Sequence, residues 1–197
     1  ELNPEYIIKI SDNIGRVVEH ISKIITSLKT FSRDSGQDPF LDTKVFTLLE
    51  GVISLCAKRF SSGSIELKVE GPSDPSLSLQ CRESELAQVI FNLLNNAHDA
   101  VEHLDERWVK VEVLDLGESV QIKVSDSGTG IPAEVRSQIF EPFFTTKDVG
   151  KGTGLGLSVS IGIVRAHSGE IAIDLESPNT VFVVTLPKIQ CMIEEAA

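Results

Sequence analysis

Positive charge is scarce in this 197-residue chain: 18 Lys and Arg stand against 29 Asp and Glu, a net charge of -11. Phosphate backbones are held by clustered basic residues, so nucleic acid is excluded as the main partner. An anionic ligand would have to be held locally instead, by glycine amides, a helix N-terminus or a metal ion. No apolar run approaches the ~18 residues of a membrane span, and no signal-peptide pattern opens the chain. Cysteine is also sparse. Cys56, Cys81 and Cys191 are odd in number and lack metal-ligand spacing, which fits a reduced, cytosolic setting. Met192 is the single methionine and Glu1 the first residue, so the expectation is a fragment whose native start, and any membrane anchor, lie outside it.

The familiar phosphate loops are missing too. In "DVGKGTGLGL", Asp148 to Leu157, glycines alternate at 150, 152, 154 and 156. Lys151 is followed by Gly152 rather than Ser or Thr, so this is no P-loop, and G-x-G-x-x-G fits these glycines in no register.

What is present is strong periodicity. Ile7, Ile10, Ile14, Val17, Ile21, Ile24, Leu28 and Phe31 follow one another in steps of three and four, a heptad seam. Ile8, Val18 and Ile25 widen the stripe, which suits a helical bundle and requires a second copy, another helix, or both. "SRDSGQDP" after it reads as a linker. The pattern then predicts a helix over about 46–60, a strand ending at Gly71, a short strand near "SLSLQC" and a helix over about 83–104. "WVKVEVLDL" and "VQIKVSD" flank Gly117 as an antiparallel hairpin. Pro132 is expected to open a short helix, "LSVSIGIVRAHSGE" to form one stopped by Gly169, and "EIAIDLE" with "TVFVVTLP" to close as a strand pair. The fold class is therefore an α/β (α+β) two-layer sandwich, one mixed and mostly antiparallel sheet with helices on one face, preceded by the long amphipathic helix.

The helix "QVIFNLLNNAHDAV" carries the most information. At ~100° per residue, Asn92, Asn95, Asn96 and Asp99 fall in one arc of roughly 100°, beside an apolar arc of Leu86, Val89, Ile90, Leu93, Ala97, Ala100 and Val101. Asn and Asp compete for backbone hydrogen bonds inside helices, so their clustering costs stability. The Asn96 amide oxygen would be a hard, neutral ligand for Mg²⁺, with Asn92 one turn earlier; a solvated polar stripe is the plainer alternative, and Asn95 is expected to be structural or exposed. In "SDSGTGIP" a carboxylate, Asp126, ends a strand, and Gly128 and Gly130 let the backbone turn or approach a planar ligand. Alone, that motif is an ordinary turn. Followed by "FEPFFTTK" and G-x-G-x-G-L, in that order after the Asn-rich helix, it is hard to obtain by accident.

In these motifs the chain resembles the ATP-binding domain of sensor histidine kinases, within the wider group that includes DNA gyrase, Hsp90 and MutL. "NLLNNAHDA" is similar to the family's asparagine box, "DSGTG" to its first glycine box, "FEPFFTTK" to its phenylalanine box, "GTGLGL" to its second glycine box and "NTVFVVTLP" to its closing strand. The helix ending in "FSR" is similar to the second helix of a dimerisation hairpin. The resemblance implies four segments: a partial dimerisation helix over 1–35, a linker over 36–42, the ATP-binding domain over 43–188 and a tail over 189–197.

It also implies residue roles. Asp126 would accept a hydrogen bond from the adenine amino group, which guanine, presenting a carbonyl oxygen there, cannot supply. Thr180 would help hold the adenine edge, and Asn96 would coordinate Mg²⁺ between the phosphates with Asn92 in support. Asp99 would lie near the nucleotide and Lys147 would offset phosphate charge. Gly128, Gly130, Ile131, Thr146, Gly152, Thr153, Gly154, Leu155 and Gly156 would complete the nucleotide site, with Phe143 and Phe144 anchoring a lid over about 145–152 that orders on ATP and Mg²⁺. Hydrolysing members of the group carry a Glu base where this chain has Asn92; an amide cannot take that proton, so hydrolysis should be slow. The implied partners are a second copy through the N-terminal helix and a response-regulator receiver domain, with a cytoplasmic location and membrane contact only through segments outside the chain. The phosphoacceptor box is absent. His20 lacks the following Pro, His167 reads as a helix-terminal group, and His98 and His103 show no ligand pattern. Asn179 stands where relatives often carry Gly.

Overall fold

Alternation of apolar and polar residues decides which face of each long strand is covered. In β4 (Trp108–Asp115) Val109, Val111 and Val113 are buried, and in β5 (Ser119–Asp126) Val120, Ile122 and Val124. The antiparallel register places Val111 opposite Val124 and Val113 opposite Ile122. β7 (Thr180–Pro187) continues the same face, with Phe182 opposite Val124 and Val184 opposite Ile122. Each such side chain contributes roughly 1.5–3 kcal/mol by leaving water. β2 (Glu66–Glu70) runs parallel to β4, and β6 (Glu170–Ile173) antiparallel to β7, giving the order β2-β4-β5-β7-β6.

The computed structural model describes residues 39–72, 74–147 and 152–190, together with Gly15. The heptad stretch, Asp148–Lys151 and the tail from Cys191 lie outside the described residues, Gly15 alone being recorded as helical and exposed. Half of the expected lid over about 145–152, residues 148–151, therefore lies outside them as well.

Three helices cover the apolar face of the sheet. They are α1 (Val45–Ser62), α2 (Glu83–Val101) and α3 (Gly156–Ala166). The middle helix α2 lies on β4 and β5 and touches both α1 and α3. Its first turn carries Glu83 and Glu85, favourable at the positive end of the helix dipole. The mixed, mostly antiparallel sheet with helices on one face is the expected architecture.

The differences are local. Leu41 and Asp42, read as linker, begin β1 (Leu41–Lys44), which pairs antiparallel with β3 (Ser78–Cys81). After Pro132, residues 133–140 form turns rather than a helix: bonds of the i to i−3 type predominate, with one i to i−4 bond from Ile139 to Val135. Such a short run has too few bonds to offset helix nucleation. At the end of α3 the left-handed residue is Ser168, φ 54°, not Gly169. Gly169 serves close packing instead, because a Cβ there would lie 2.5 Å from the Thr185 carbonyl oxygen of β7. On α2 the core face is wider than its sequence arc: Leu94 and His98 are buried with it, whereas Ala100 is exposed.

Candidate functional site

One end of the site is built by the sheet. β5 and β7 put Asp126 directly opposite Thr180, the last pair of their ladder. Asp126 is 3% exposed, and its Oδ1 accepts the Gly128 N–H at 2.8 Å. Burial pushes its carboxyl above the ordinary aspartate value, while hydrogen bonds from Gly128 and Thr180 pull it partly back. Gly128 must be small here, since a Cβ would lie 2.7 Å from Asp126 Oδ1 and 3.3 Å from Thr180 Oγ1. Gly130, φ +87°, has open space where its side chain would be. Ile131 is half-buried against the core. The arrangement is a sheltered anionic acceptor at the end of the central strand, suited to a planar group that donates one hydrogen.

The other end is built by helices. All four polar residues of the α2 arc are accounted for. Asn92 donates to the Gly156 carbonyl at 3.1 Å and to Ser160 Oγ at 3.3 Å, fastening α2 to the start of α3. Asn95 accepts from Arg59 of α1 and donates to the Phe91 carbonyl at 2.9 Å. Asn96 Oδ1 accepts from Lys147 Nζ at 3.3 Å. Asp99 is shared, with Oδ1 paired to Arg59 and Oδ2 to Lys147. Lys147 is thus brought to Asn96 and Asp99, and the amide oxygen of Asn96 presents itself to a cation.

The second glycine box leads into α3. Gly154 has φ +66°, and a Cβ there would overlap the Phe143 backbone. The Phe143 N–H donates to the Gly154 carbonyl at 2.9 Å, so backbone and not side chain holds this crossing. Phe144 packs on the core, whereas the Phe143 ring is 65% exposed. A Cβ on Gly152 would lie 2.5 Å from Thr145 Oγ1. Thr153 Oγ1 accepts the Leu155 N–H at 3.3 Å, Leu155 is buried, Gly156 opens α3 in van der Waals reach of Asn92, and Thr146 is exposed.

A buried acceptor at the end of the central strand, an amide-bearing helix and a glycine crossing at a helix N-terminus together make the pattern of one family. The model described as histidine kinase-, DNA gyrase B- and HSP90-like ATPase matches residues 81–190. The chain belongs to that family. The two-component sensor PprA of Pseudomonas aeruginosa is 34% identical over 191 residues, 94% of this chain and 20% of that protein. The catalytic domain of the histidine kinase ThkA is 30% identical with a TM-score of 0.69, covering 78% of this chain and 100% of that one. The structure of ThkA in complex with the response regulator TrrA matches with a TM-score of 0.72 at 26% identity, covering 95% of this chain and 53% of that one. The chain spans 20% of the length of PprA and 36% of that of the sensor histidine kinase ZraS of Escherichia coli. Among the described residues no helix is long and apolar enough to cross a membrane.

Within this histidine kinase-like ATPase fold, two residues went unread in the sequence. Arg59 holds both Asn95 and Asp99 from another helix, and no local pattern announces it. Asn179, read only as a departure from Gly, donates from Nδ2 to the Gly128 carbonyl at 3.1 Å and so ties the closing strand to the first glycine box.

Proposed function

We propose that this chain is the ATP-binding catalytic portion of a two-component sensor histidine kinase, passing the γ-phosphate of ATP to a histidine outside this chain for relay to a response-regulator aspartate. The observation that carries the reading is Asp126, a sheltered carboxylate held by Gly128 and Thr180 where β5 ends. It suits the exocyclic amino group of adenine and opposes the carbonyl oxygen of guanine, since two acceptors face each other with neither satisfied. Thr180, Gly128, Gly130 and Ile131 line the same edge.

The phosphates would lie toward α2 and α3. Asn96, whose oxygen already takes the Lys147 ammonium, fits a hard divalent cation, and Mg²⁺ bound there would neutralise charge on the phosphates. Lys147 would exchange Asp99 for a phosphate oxygen, leaving Asp99 beside the nucleotide. Thr146, Gly152, Thr153, Gly154, Leu155 and Gly156 border the N-terminus of α3, where free amides and the helix dipole favour anions. Asn92 is already committed to Gly156 and Ser160, and as an amide it cannot take a proton from water. Transfer to a histidine nitrogen by in-line displacement is therefore favoured over hydrolysis.

Residues 1–35 would supply the second helix of a dimerisation hairpin and so a homodimer, residues 36–42 its connection, 43–188 the ATP-binding domain and 189–197 a tail. The complex of ThkA with its response regulator supports a receiver domain as partner. The reading implies a cytoplasmic location, with any membrane segment elsewhere in the full protein. The test is transfer of label from ATP to a separately made hairpin bearing an acceptor His. Label on that histidine, with slow release of free phosphate, is the expected result. ATP binding without transfer would instead mark a non-catalytic nucleotide-binding module, and fast hydrolysis a gyrase- or Hsp90-type ATPase.

A further inference from the structure

The last turns of α2 carry a side-chain cluster that shares only Asp99 with the nucleotide reading. His98 is 4% exposed and sits edge-on to Phe60 of α1, ring centroids 5.3 Å apart. Neither of its ring nitrogens has a hydrogen-bond partner among the described residues. Buried polar groups left in that state cost free energy, so a ligand for this imidazole would be stabilising. Its Nδ1 points at two carboxylates, 3.5 Å from Asp99 Oδ1 and 3.8 Å from Glu102 Oε2. Ligand atoms of the three residues all lie within 4.8 Å of one another. A tetrahedral ion bound at ~2.0–2.1 Å sets its ligands roughly 3.3 Å apart, so the His98 Nδ1 distances of 3.5 and 3.8 Å close by some tenths of an ångström, and the two carboxylates come together by rotating their side chains. His98 and Glu102 stand one helical turn apart on one face, the spacing that lets two side chains share a partner.

We propose that His98, Asp99 and Glu102 form a binding site for a divalent transition-metal ion, Zn²⁺ foremost, where α2 meets α1. An imidazole with two carboxylates suits Zn²⁺ better than Mg²⁺ or Ca²⁺, which take oxygen ligands. Three protein ligands leave a fourth position for water on the side where the Glu102 side chain is 40% exposed, so the ion exchanges with solution. Arg59 is the cation it displaces, because the guanidinium occupies Asp99 Oδ1, whereas Oδ2 stays with Lys147. The site is separate from Asn96, and a titration without nucleotide tests it whatever becomes of the kinase reading.

The experiment titrates the full chain with ZnCl₂ against a chromophoric chelator, and with CoCl₂, whose visible absorption reports tetrahedral nitrogen and oxygen ligation. One ion per chain is expected, with a tetrahedral Co²⁺ spectrum. Glu102→Gln, at a solvent-facing position, should weaken binding at least about tenfold, the lower end of what loss of even an outer partner costs. His98→Gln should do the same, with folding checked by circular dichroism. His20→Gln and Cys191→Ser should leave binding unchanged. Absence of binding by the unaltered chain, unchanged affinity in Glu102→Gln, or loss in either control variant would overturn the assignment.

Discussion

Replacing Asp126 by asparagine keeps the shape of the side chain and removes its charge, which separates recognition from folding. Oδ1 of the amide can still accept the Gly128 N–H, now at 2.8 Å, so the glycine turn should survive. The second oxygen becomes an NH₂ that faces the adenine amino group donor to donor. A hydrogen bond to a charged group contributes about 1.5–3 kcal/mol, so ATP affinity should fall roughly 10- to 150-fold. Stability should move the other way. Burial raises the Asp126 carboxyl above its ordinary value, which means the folded state binds that proton more tightly than the unfolded chain. Its stabilising contribution is then present in full below the ordinary aspartate value and is lost as pH rises through the raised one. At neutral pH the uncharged variant should therefore be at least as stable as the parent, with the advantage shrinking as pH falls through the raised value and gone below the ordinary aspartate value. Calorimetric titration with ATP and Mg²⁺, paired with thermal melts at both pH values, reads the two effects independently. Unchanged ATP affinity in a folded Asp126→Asn protein would refute the adenine assignment, and a large loss of stability at neutral pH would refute the account of its burial.

Gly154→Ala should destabilise the domain more than Gly130→Ala in thermal melts: both positions have positive φ, costing about 1–2 kcal/mol for a side chain, but only at Gly154 would the new Cβ overlap the Phe143 backbone. For His167 the sign of the pH dependence is opposite to that of Asp126. Its ring is buried, takes the Arg82 N–H on Nε2 at 3.0 Å and contacts the Ile163 carbonyl through Nδ1 at 2.8 Å, and burial holds its pKa below the ordinary histidine value. The unfolded chain then binds that proton first, so stability should fall as pH drops from the ordinary histidine value through the lowered one; denaturant titrations of His167→Gln should show a shallower fall over that window.

The α2 helix shows how far local pattern reaches. Its polar arc and apolar arc follow from 3.6 residues per turn, and Leu86, Val89, Ile90, Leu93, Ala97 and Val101 are buried as that geometry requires. The same holds for β4 and β5, where period-two alternation names the covered face in advance. Turn chemistry was less legible. Ser168 takes the left-handed position beside an available glycine because Gly169 is needed for contact with β7, a demand set by a distant strand.

The sequence by itself determined the order of motifs, the amphipathic helix and the alternating strands, because each depends on residues within one or two turns of chain. It also determined that an anion would need amides or a metal, since the chain has so little positive charge to spend. Only the tertiary structure decided who meets whom. Asp126 reaches Thr180 through strand register, Asp99 is divided between Arg59 and Lys147 from two other segments, and β1 finds its partner in β3. His98 is the sharpest case: its carboxylate neighbours Asp99 and Glu102 are local, and only packing against Phe60 of another helix buries the imidazole beside them. Burial and pairing of this kind are sums over contacts distant in sequence, and periodicity carries no record of them.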